Sequence, residues 1–259
     1  MSIRFGVCTD LENIPVLMDA GYDYIEYNFT KLVEMSEIEF AEAKAIVEKH
    51  QFYAESYNCF FPGTIRLTGP DVDYDQITAH IRTGMARAAQ LGGKICVIGS
   101  GGSRSIPEGF DFDTGCRQFM KVLEIAGEIA AEYGITIVVE ALRKTETNLL
   151  NTVAECIHLV KQVNKANVRA LADFYHVFSS GETLDAIRHN DGWLKHLHLA
   201  RANADRAMPY AEDIPQVEQW AEAVKASGYE GRLSLEGNCL PEFEECVRRT
   251  RKIIECFNN

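Results

Sequence analysis

The sequence predicts an α/β fold, a (β/α)8 TIM barrel that forms a single domain over residues 1–259. Short apolar runs of strand length alternate eight times with longer stretches of helical periodicity, which is the order of elements in such a barrel. Several helical stretches end in a glycine directly before the next apolar run, as in Tyr133-Gly134-Ile135, and glycine readily ends a helix. A doubly wound open sheet is the alternative arrangement.

The predicted strands are runs of five or six mostly apolar residues, which is typical of buried parallel strands. In chain order they cover Ile3–Cys8, Tyr22–Tyr27, Phe52–Tyr57, Lys94–Ile98, Ile135–Glu140, Val168–Asp173, Leu194–Leu199 and Arg232–Glu236. The predicted helices fill the intervals, where apolar residues recur at helical spacing. They cover Leu11–Ala20, Ser36–Lys49, Tyr74–Leu91, Asp113–Tyr133, Thr152–Asn164, Glu182–His189, Ile214–Ser227 and Pro241–Phe257. No linker, low-complexity tract or block of like charge separates these elements.

The composition argues against some classes of protein. The formal net charge is −12, which disfavours extended contact with nucleic-acid phosphates or with an anionic membrane surface. The chain starts without a secretory signal pattern, and its apolar stretches are much shorter than the roughly 20 residues of a membrane-spanning helix. A soluble, cytoplasmic protein is therefore expected. The eight cysteines form no Cys-x-x-Cys pair, so we expect reduced and mostly structural thiols.

Four polar residues stand at or near the ends of predicted strands. Glu140 follows Ile-Thr-Ile-Val-Val, Asp173 follows Val-Arg-Ala-Leu-Ala, His198 lies in Leu-Lys-His-Leu-His-Leu, and Glu236 follows Leu-Ser-Leu. A charged side chain in a buried strand is costly unless a partner compensates it. The C-terminal ends of the strands meet at one face of a barrel, so these side chains can converge on one divalent cation. Carboxylate oxygens with one imidazole nitrogen suit Mn²⁺, Mg²⁺ or Co²⁺ better than a structural zinc ion.

Two further histidines lie close to these residues in the sequence. His176 comes three residues after Asp173, where it can contact a substrate hydroxyl, orient a ligand, or simply pack in a loop. His196 precedes His198 by two residues and therefore faces the same side of the strand. Because it lies one layer lower in the barrel, we expect it to be a buried hydrogen-bonding residue rather than a ligand.

Loop segments offer additional candidates. Glu146, six residues after Glu140, is either a partner of the metal ligands or a surface residue. Arg206, in the loop after the seventh strand, is either a clamp for substrate oxygens or a solvated side chain. The segment Gly99-Ser-Gly-Gly-Ser-Arg104 is glycine-rich, and we interpret it as a flexible active-site loop, with phosphate binding as the alternative.

Together these motifs resemble the xylose-isomerase-like sugar isomerases and epimerases, and within them the ketose 3-epimerases that act on tagatose and psicose. The resemblance spans the whole chain. Its strongest piece is Glu140-Ala-Leu-Arg-Lys-Thr-Glu146-Thr-Asn-Leu-Leu-Asn-Thr152, where those epimerases carry two glutamates six residues apart and a similar tail. The remaining pieces are Asp173-Phe-Tyr-His176, His196-Leu-His198, Arg206-Ala-Met-Pro209 and Leu235-Glu236-Gly237.

The resemblance implies an isomerase of carbohydrate metabolism that uses one divalent metal ion, with Mn²⁺ expected and Mg²⁺ or Co²⁺ as alternatives. It implies four metal ligands, Glu140, Asp173, His198 and Glu236. It also makes Glu140 and Glu236 the acid–base pair that inverts C3 of a free or phosphorylated ketose through a metal-stabilised cis-enediolate. Glu146, His176 and Arg206 would contact the sugar. A homo-oligomer, dimer or tetramer, is implied as well, with no nucleic-acid or membrane partner.

Two loops depart from the family pattern. Arg143-Lys144-Thr145 stands where the family typically has Asn-Arg-Phe, and Pro209-Tyr-Ala-Glu212 replaces a Pro-Gly-x-Gly. These loops help to shape the substrate pocket, so the sequence does not determine which sugar is bound. The charges of Arg143 and Lys144 would favour a sugar that carries a phosphate or a carboxylate.

Other activities can use the same metal site. They are an aldose–ketose isomerase, including the hydroxypyruvate isomerase type, and a keto-inositol dehydratase. A non-catalytic sugar-binding protein would have no reason to combine two opposed carboxylates with a metal. An abasic-site endonuclease would need more histidine and acidic ligands and a basic face, which seven histidines and a net charge of −12 argue against.

Overall fold

The computed structural model describes residues 3–203 and 205–259 of the chain. Its strands are β1 (Arg4–Cys8), β2 (Tyr24–Asn28), β3 (Ala54–Asn58), β4 (Ile95–Ile98), β5 (Thr136–Glu140), β6 (Val168–Asp173), β7 (Leu194–Leu199) and β8 (Arg232–Leu235). They are parallel and form a closed barrel in chain order, with β8 paired to β1. The predicted fold class is therefore confirmed, and the predicted strand ends lie within two residues of the observed ones.

The helices surround this barrel. They are α1 (Ile14–Ala20), α2 (Phe29–Glu34), α3 (Glu37–His50), α4 (Tyr74–Gln90), α5 (Gly101–Arg104), α6 (Phe112–Glu132), α7 (Val153–Val163), α8 (Phe174–Ser179), α9 (Asp185–Arg188), α10 (Ile214–Ala226) and α11 (Phe243–Ile253). Short 3₁₀ helices cover Leu11–Asn13, Ala211–Asp213 and Ile254–Phe257. The long helices agree with the prediction, whereas α2, α5 and α8 were not predicted. Of the predicted Glu182–His189, only α9 is α-helical. Within the described ranges, no helix combines the length and apolarity needed to cross a bilayer.

Capping chemistry explains where several helices begin and end. Ser36 caps α3 and Thr152 caps α7, each in a reciprocal capping box with a glutamate three residues later. Gly21, with φ of 81°, ends α1 in the left-handed conformation that glycine adopts without strain. These local signals account for the boundaries of the three helices.

The main hydrophobic core lies between the barrel and the helices. In β5, Ile137 and Val139 alternate with the inward-facing residues and are fully buried in this layer. From the helix side, α6 contributes Phe119 and Leu123, which are also fully buried. Burial of each such side chain stabilises the fold by about 1.5–3 kcal/mol.

The eight cysteines are free thiols, as expected.

The inside of the barrel is divided into an apolar and a polar half. The apolar half is a small cluster formed by Ile95, Val97, Val138 and Leu171 on β4, β5 and β6. The other half contains fully buried side chains with polar atoms, namely Tyr24, Glu26, Ser56, His196 and Ser234. Tyr24 fits because its neighbour Gly6 has no side chain, since a Cβ atom there would lie 2.3 Å from the Tyr24 ring.

Candidate metal centre

The four predicted metal ligands lie at the same end of the barrel, because each stands at or near the C-terminal end of its strand. Glu140 and Asp173 are the last residues of β5 and β6, His198 is the penultimate residue of β7, and Glu236 directly follows β8. Asp173 lies beside His198 in the pairing of β6 with β7. One ligand atom from each of the four lies within 4.8 Å of the others. The structure thus brings these four residues together in one cluster.

His198 lies at the centre of this cluster. Its Nδ1 atom is 3.4 Å from Oε1 of Glu140 and 3.2 Å from Oε2 of Glu236. Two ligands bound at right angles to one ion, each about 2.1 Å from it, are about 3 Å apart. Glu140 Oε1 and His198 Nδ1 are buried without a hydrogen-bond partner among the described residues, which is costly for polar atoms. The spacing and the donor chemistry therefore fit one divalent cation.

The two carboxylate oxygens of Asp173 make different contacts. Its Oδ1 accepts a hydrogen bond of 2.9 Å from the backbone N–H of Tyr175 and so caps α8. Its Oδ2 lies 3.6 Å from Nε2 of His176 and accepts a hydrogen bond of 2.8 Å from Arg206. The same carboxylate therefore starts a helix and offers a ligand atom to the cluster.

Arg206 reaches into the cluster from the loop after β7. Its Nη2 donates to Oδ2 of Asp173 at 2.8 Å and to Oε2 of Glu236 at 2.5 Å. The residue adopts a φ of 46°, which is uncommon for a side chain of this size. Its guanidinium carbon lies 4.8 Å from the ring centre of Tyr175. Arg206 therefore contacts the cluster and is not simply a solvated side chain. Its positive charge between two carboxylates stabilises their ionised forms.

His176 and Glu146 lie side by side at the edge of the cluster. His176 is almost fully buried, and its Nε2 is 4.0 Å from Oε1 of Glu140 while its Nδ1 is 3.5 Å from Oε2 of Glu146. Neither ring nitrogen has a hydrogen-bond partner among the described residues. Arg143 donates to Oε2 of Glu146 at 2.9 Å, and its guanidinium carbon lies 4.8 Å from the ring centre of Tyr175. Arg143 is thus already paired with a carboxylate.

Glu26 is a part of this site that was not predicted from the sequence. It lies on β2, is fully buried, and accepts hydrogen bonds from Nε2 of His196 at 2.7 Å and Nε2 of His198 at 2.9 Å. A signal was present in the sequence, because Tyr24-Ile-Glu26-Tyr27 is another acid within an apolar run. His196 is buried and hydrogen-bonded, as the alternation of the strand had led us to expect.

The two glutamates of the cluster differ in acidity. Burial and the neighbouring carboxylate of Glu236 raise the pKa of Glu140 above its usual value. Burial acts in the same direction on Glu236, but the charges of His198 and Arg206 outweigh it and lower the pKa of Glu236 to about 2. Carboxyl groups whose pKa values are pushed apart in this way are typical of acid–base pairs.

A polar cavity of about 210 Å³ opens beside Glu26 at the ends of β1, β2 and β3. Its polar lining includes Thr9, Asp10, Asn28, Lys31 and Asn58. Asn58 connects the cavity to the cluster, because its Nδ2 donates to Oε1 of Glu236 at 3.0 Å. Lys31 is paired with Asp10 at 2.7 Å. A larger groove of about 490 Å³ elsewhere is lined by α6, α7 and the loop before α7, but none of its lining residues belongs to the cluster.

The glycine-rich segment after β4 differs from the flexible loop that the sequence predicted. Gly101–Arg104 forms the short helix α5, and Arg104 is fully buried. Its guanidinium donates to the backbone carbonyls of Ile98 and Leu150 and lies 5.8 Å from the ring centre of Phe119. The segment is partly helical instead of an open loop because a buried arginine anchors it, which glycine content alone does not reveal.

The chain matches the family model of the xylose isomerase-like TIM barrel over residues 15–255. The chain belongs to this family. Within it, the chain is similar to the D-psicose 3-epimerase of Ruminiclostridium cellulolyticum, with 34% identity over 121 residues, which is 46% of this chain and 40% of that relative. It is also similar to the 3-dehydro-D-guloside 4-epimerase of Escherichia coli K12, with 25% identity over 121 residues, 46% of this chain and 45% of that one. These alignments span less than half the length of the relatives.

Solved structures of the family resemble the whole chain. The D-psicose 3-epimerase with D-tagatose from Clostridium cellulolyticum H10 superposes with a TM-score of 0.84 at 19% identity, covering 98% of each chain. The 3-keto-D-glucoside 4-epimerase from E. coli, in its apo form, gives a TM-score of 0.80 at 18% identity over 99% of each chain. At such identities the likeness shows the fold. Together with the sequence matches, it confirms the predicted resemblance to xylose-isomerase-like proteins and ketose 3-epimerases.

Proposed function

We propose that this chain is a divalent-metal-dependent sugar epimerase that inverts C3 of a ketose. The observation that carries the proposal is the approach of two carboxylates, from Glu140 and Glu236, to the same Nδ1 atom of His198 at 3.4 and 3.2 Å. Two carboxylates at one cation can remove a proton beside a carbonyl and return it. Similarity to two D-psicose 3-epimerases, 34% and 32% identical over 121 and 113 residues, supports a ketose as the substrate.

The proposed ligands of the ion are Glu140, Asp173, His198 and Glu236, and the proposed ion is Mn²⁺. When bound there, the ion supplies positive charge that stabilises the negative charge developing on the sugar oxygens. The four side chains already have ligand atoms within 4.8 Å of one another. Their positions are fixed by the ends of four consecutive strands, so the site is organised before the substrate arrives.

In this proposal Glu140 and Glu236 transfer the protons. One carboxylate removes the hydrogen from the carbon next to the carbonyl, and the other returns a proton to the opposite face, which inverts the centre. The lowered pKa of Glu236 leaves its carboxylate ionised and able to act as the base, and the raised pKa of Glu140 favours the protonated form that can act as the acid. The roles exchange in the reverse reaction. A positioned acid or base of this kind contributes roughly 10²–10⁴-fold in rate.

Arg206, His176 and Glu146 would orient the sugar. Both ring nitrogens of His176 lack a hydrogen-bond partner among the described residues, and Arg206 lies directly at the carboxylates. Two of the basic side chains near the site are already paired, Arg143 with Glu146 and Lys31 with Asp10. We therefore propose that the substrate is an unphosphorylated sugar, whose hydroxyls suit the polar cavity at β1–β3.

Inversion at C4 of a 3-keto sugar is the second candidate. It is favoured by the similarity to the E. coli 3-dehydro-D-guloside 4-epimerase at 25% identity over 121 residues. The hydrogen to be removed again lies next to a carbonyl, so the same pair of carboxylates can act. The aldose–ketose isomerase and the keto-inositol dehydratase share this first proton abstraction, and the products distinguish them.

The test is to incubate the metal-loaded protein with a panel of ketoses, their phosphates and 3-keto glycosides, and to identify products by NMR. A C3 epimer of a free ketose is the expected product. A C4 epimer of a 3-keto sugar would establish the second candidate. An aldose, or a product lighter by one water, would replace epimerisation with isomerisation or dehydration. No product from any member of the panel would contradict both candidates.

The broader setting rests on the sequence resemblance. We propose a single-domain, cytoplasmic enzyme of carbohydrate metabolism that acts as a homo-oligomer, either a dimer or a tetramer. Analytical ultracentrifugation measures the oligomeric state directly, and a monomer at micromolar concentration would contradict that part of the proposal.

A further inference from the structure

We infer that Glu26 is the residue that positions His198 for metal binding, by fixing which ring nitrogen faces the cluster. Glu26 is fully buried on β2, on the polar side of the barrel interior. Its Oε1 lies 2.9 Å from Nε2 of His198, while Nδ1 of the same ring faces Glu140 and Glu236. The inference rests on the metal-binding part of the proposed function and not on the identity of the sugar.

The hydrogen-bond chemistry of Glu26 determines the state of both histidines. An ionised carboxylate can only accept hydrogen bonds, so a nitrogen 2.7–2.9 Å away must carry the proton between them. Oε2 accepts from Nε2 of His196 and Oε1 accepts from Nε2 of His198, which uses one oxygen for each ring. With its Nε2 proton held by Glu26, His198 can offer only Nδ1 to a metal ion. Histidine ligands commonly donate their other ring N–H to a carboxylate in this way, which orients the ring and strengthens the ligand.

The surrounding contacts hold Glu26 in place. The pairing of β2 with β3 shifts by one residue between Ile25 and Glu26, and such irregularities redirect side chains near functional sites. Below the carboxylate, Nε2 of His196 lies 3.3 Å from Oγ of Ser56 and 3.4 Å from Oγ of Ser234. Ser234 is in turn hydrogen-bonded to the hydroxyl of Tyr24 at 2.8 Å. The barrel interior therefore supports Glu26 from beneath, and Glu26 supports His198.

A second metal ion bound by Glu26, His196 and His198 is the competing interpretation, since these three also group their ligand atoms closely. The separations of 2.7 and 2.9 Å are hydrogen-bond lengths, and each Nε2 atom pairs with a different oxygen of Glu26, as two separate hydrogen bonds require. All three side chains are completely buried. We therefore assign Glu26 to positioning rather than to metal ligation.

The first experiment titrates Mn²⁺ into the metal-free wild-type protein and into Glu26→Gln, following binding by calorimetry. Glutamine keeps the size of the side chain but provides one acceptor oxygen for two N–H donors, so Nε2 of His198 or of His196 loses its acceptor. We expect one ion per wild-type chain and roughly 10–100-fold weaker binding in the variant. Unchanged affinity in Glu26→Gln, or two ions per wild-type chain, would overturn the inference.

Glu55→Gln is the matched control. Glu55 is also a carboxylate bonded to two basic side chains, Arg4 at 2.6 Å and Arg232 at 2.8 Å. Both arginines stand at the first residues of their strands, at the opposite end of the barrel. The control should lose stability without losing metal affinity. An equal loss of affinity in both variants would reduce the role of Glu26 to general stabilisation and overturn its positioning role.

A measurement on the wild-type protein shows which ring nitrogen of His198 carries the proton, even if Glu26→Gln does not fold. In the Zn²⁺-loaded, ¹⁵N-histidine-labelled protein, NMR identifies the protonated nitrogen of each ring, and comparison with His198→Gln assigns the signal of His198. We expect a proton on Nε2 and none on Nδ1. A proton on Nδ1, with Nε2 bound to the metal, would overturn the inference. Absence of any divalent-ion binding by the wild type would instead refute the proposed function, and this inference with it.

Discussion

Gly99 leaves room for the side chain of Glu140 at the C-terminal end of the barrel, since a Cβ atom at residue 99 would lie 2.4 Å from Oε2 of Glu140. Gly99 directly follows β4 and continues the inward-facing series of Ile95 and Val97. The missing side chain at this position allows Glu140 to extend from β5 towards His198. A position outside the proposed ligand set therefore controls the geometry of the metal centre.

Gly99→Ala should consequently displace Glu140. We expect loss of kcat/KM of about 10²-fold, because a shift of about 1 Å in a catalytic group costs that much, and a loss of stability of about 1–3 kcal/mol from overpacking. Gly102→Ala, in α5, is the control, because a Cβ atom there meets nothing within 4 Å. Steady-state kinetics and denaturant unfolding measure both effects. Equal behaviour of the two variants would contradict the proposed constraint on Glu140.

Glu140→Gln and Glu236→Gln should each abolish turnover while leaving the fold intact. Each variant removes one proton-transferring carboxylate, and the expected loss is at least roughly 10²–10⁴-fold in kcat. Circular dichroism checks the fold, and calorimetry checks how much metal each variant still binds. Retention of most of the activity by either variant, in the presence of metal, would remove that glutamate from the proposed acid–base pair.

Metal binding should release protons near neutral pH. Burial alone would lower the pKa of His198, but the carboxylates of Glu26 and Glu236 outweigh burial and raise it well above its usual value. The raised pKa favours a proton on Nδ1 of His198 in the metal-free protein, and this proton must leave before a metal ion can bind there. Affinity should rise with pH until that pKa is reached, by up to about tenfold per pH unit.

Calorimetry in buffers of different ionisation enthalpy measures this release directly. We expect about one proton per bound ion at pH 7, on the basis of the single imidazole ligand. An affinity that stays constant between pH 6 and 8, with no proton released, would show that His198 is already neutral or is not a ligand.

Arg206→Ala should reduce turnover without weakening metal binding. The guanidinium contacts Asp173 and Glu236, so its positive charge competes with a metal ion for the same carboxylates. Its removal should leave metal affinity equal or higher, while kcat/KM falls about tenfold or more through the lost charged hydrogen bond to the sugar. Arg201→Ala is the control from the same loop, because Arg201 pairs with Asp213 at 2.9 Å instead. Weaker metal binding in Arg206→Ala would contradict this assignment.

The sequence was sufficient to predict the barrel and the four clustered residues, because both depend on the pattern of apolar and polar residues along buried strands. Glu140, Asp173 and Glu236 were recognisable since each is an acid at the end of an apolar run. Glu26 is also an acid in an apolar run, but it stands inside the predicted second strand and not at its end, so its contact with His198 was not anticipated. That contact joins residues 172 positions apart, and only the closed barrel brings them together.

The loops were less predictable, because their structure depends on contacts between distant residues. Arg206 reaches Asp173 and Glu236 from a left-handed backbone conformation that no local pattern indicates. Arg104 is buried against Phe119 and turns a glycine-rich segment into a helix. The helix α8 begins because Asp173 caps it with one oxygen, a role that is not evident when the residue is read only as a ligand.

The most direct test of the central proposal is solvent-isotope exchange during turnover. The Mn²⁺-loaded protein is incubated with free ketoses in D₂O, the metal is removed, and the sugars are examined by NMR. Deuterium at C3, appearing together with the C3 epimer and absent with Glu140→Gln, is the predicted result. Epimer formed without deuterium uptake from solvent, or deuterium confined to C1, would contradict proton transfer at C3 by the two glutamates.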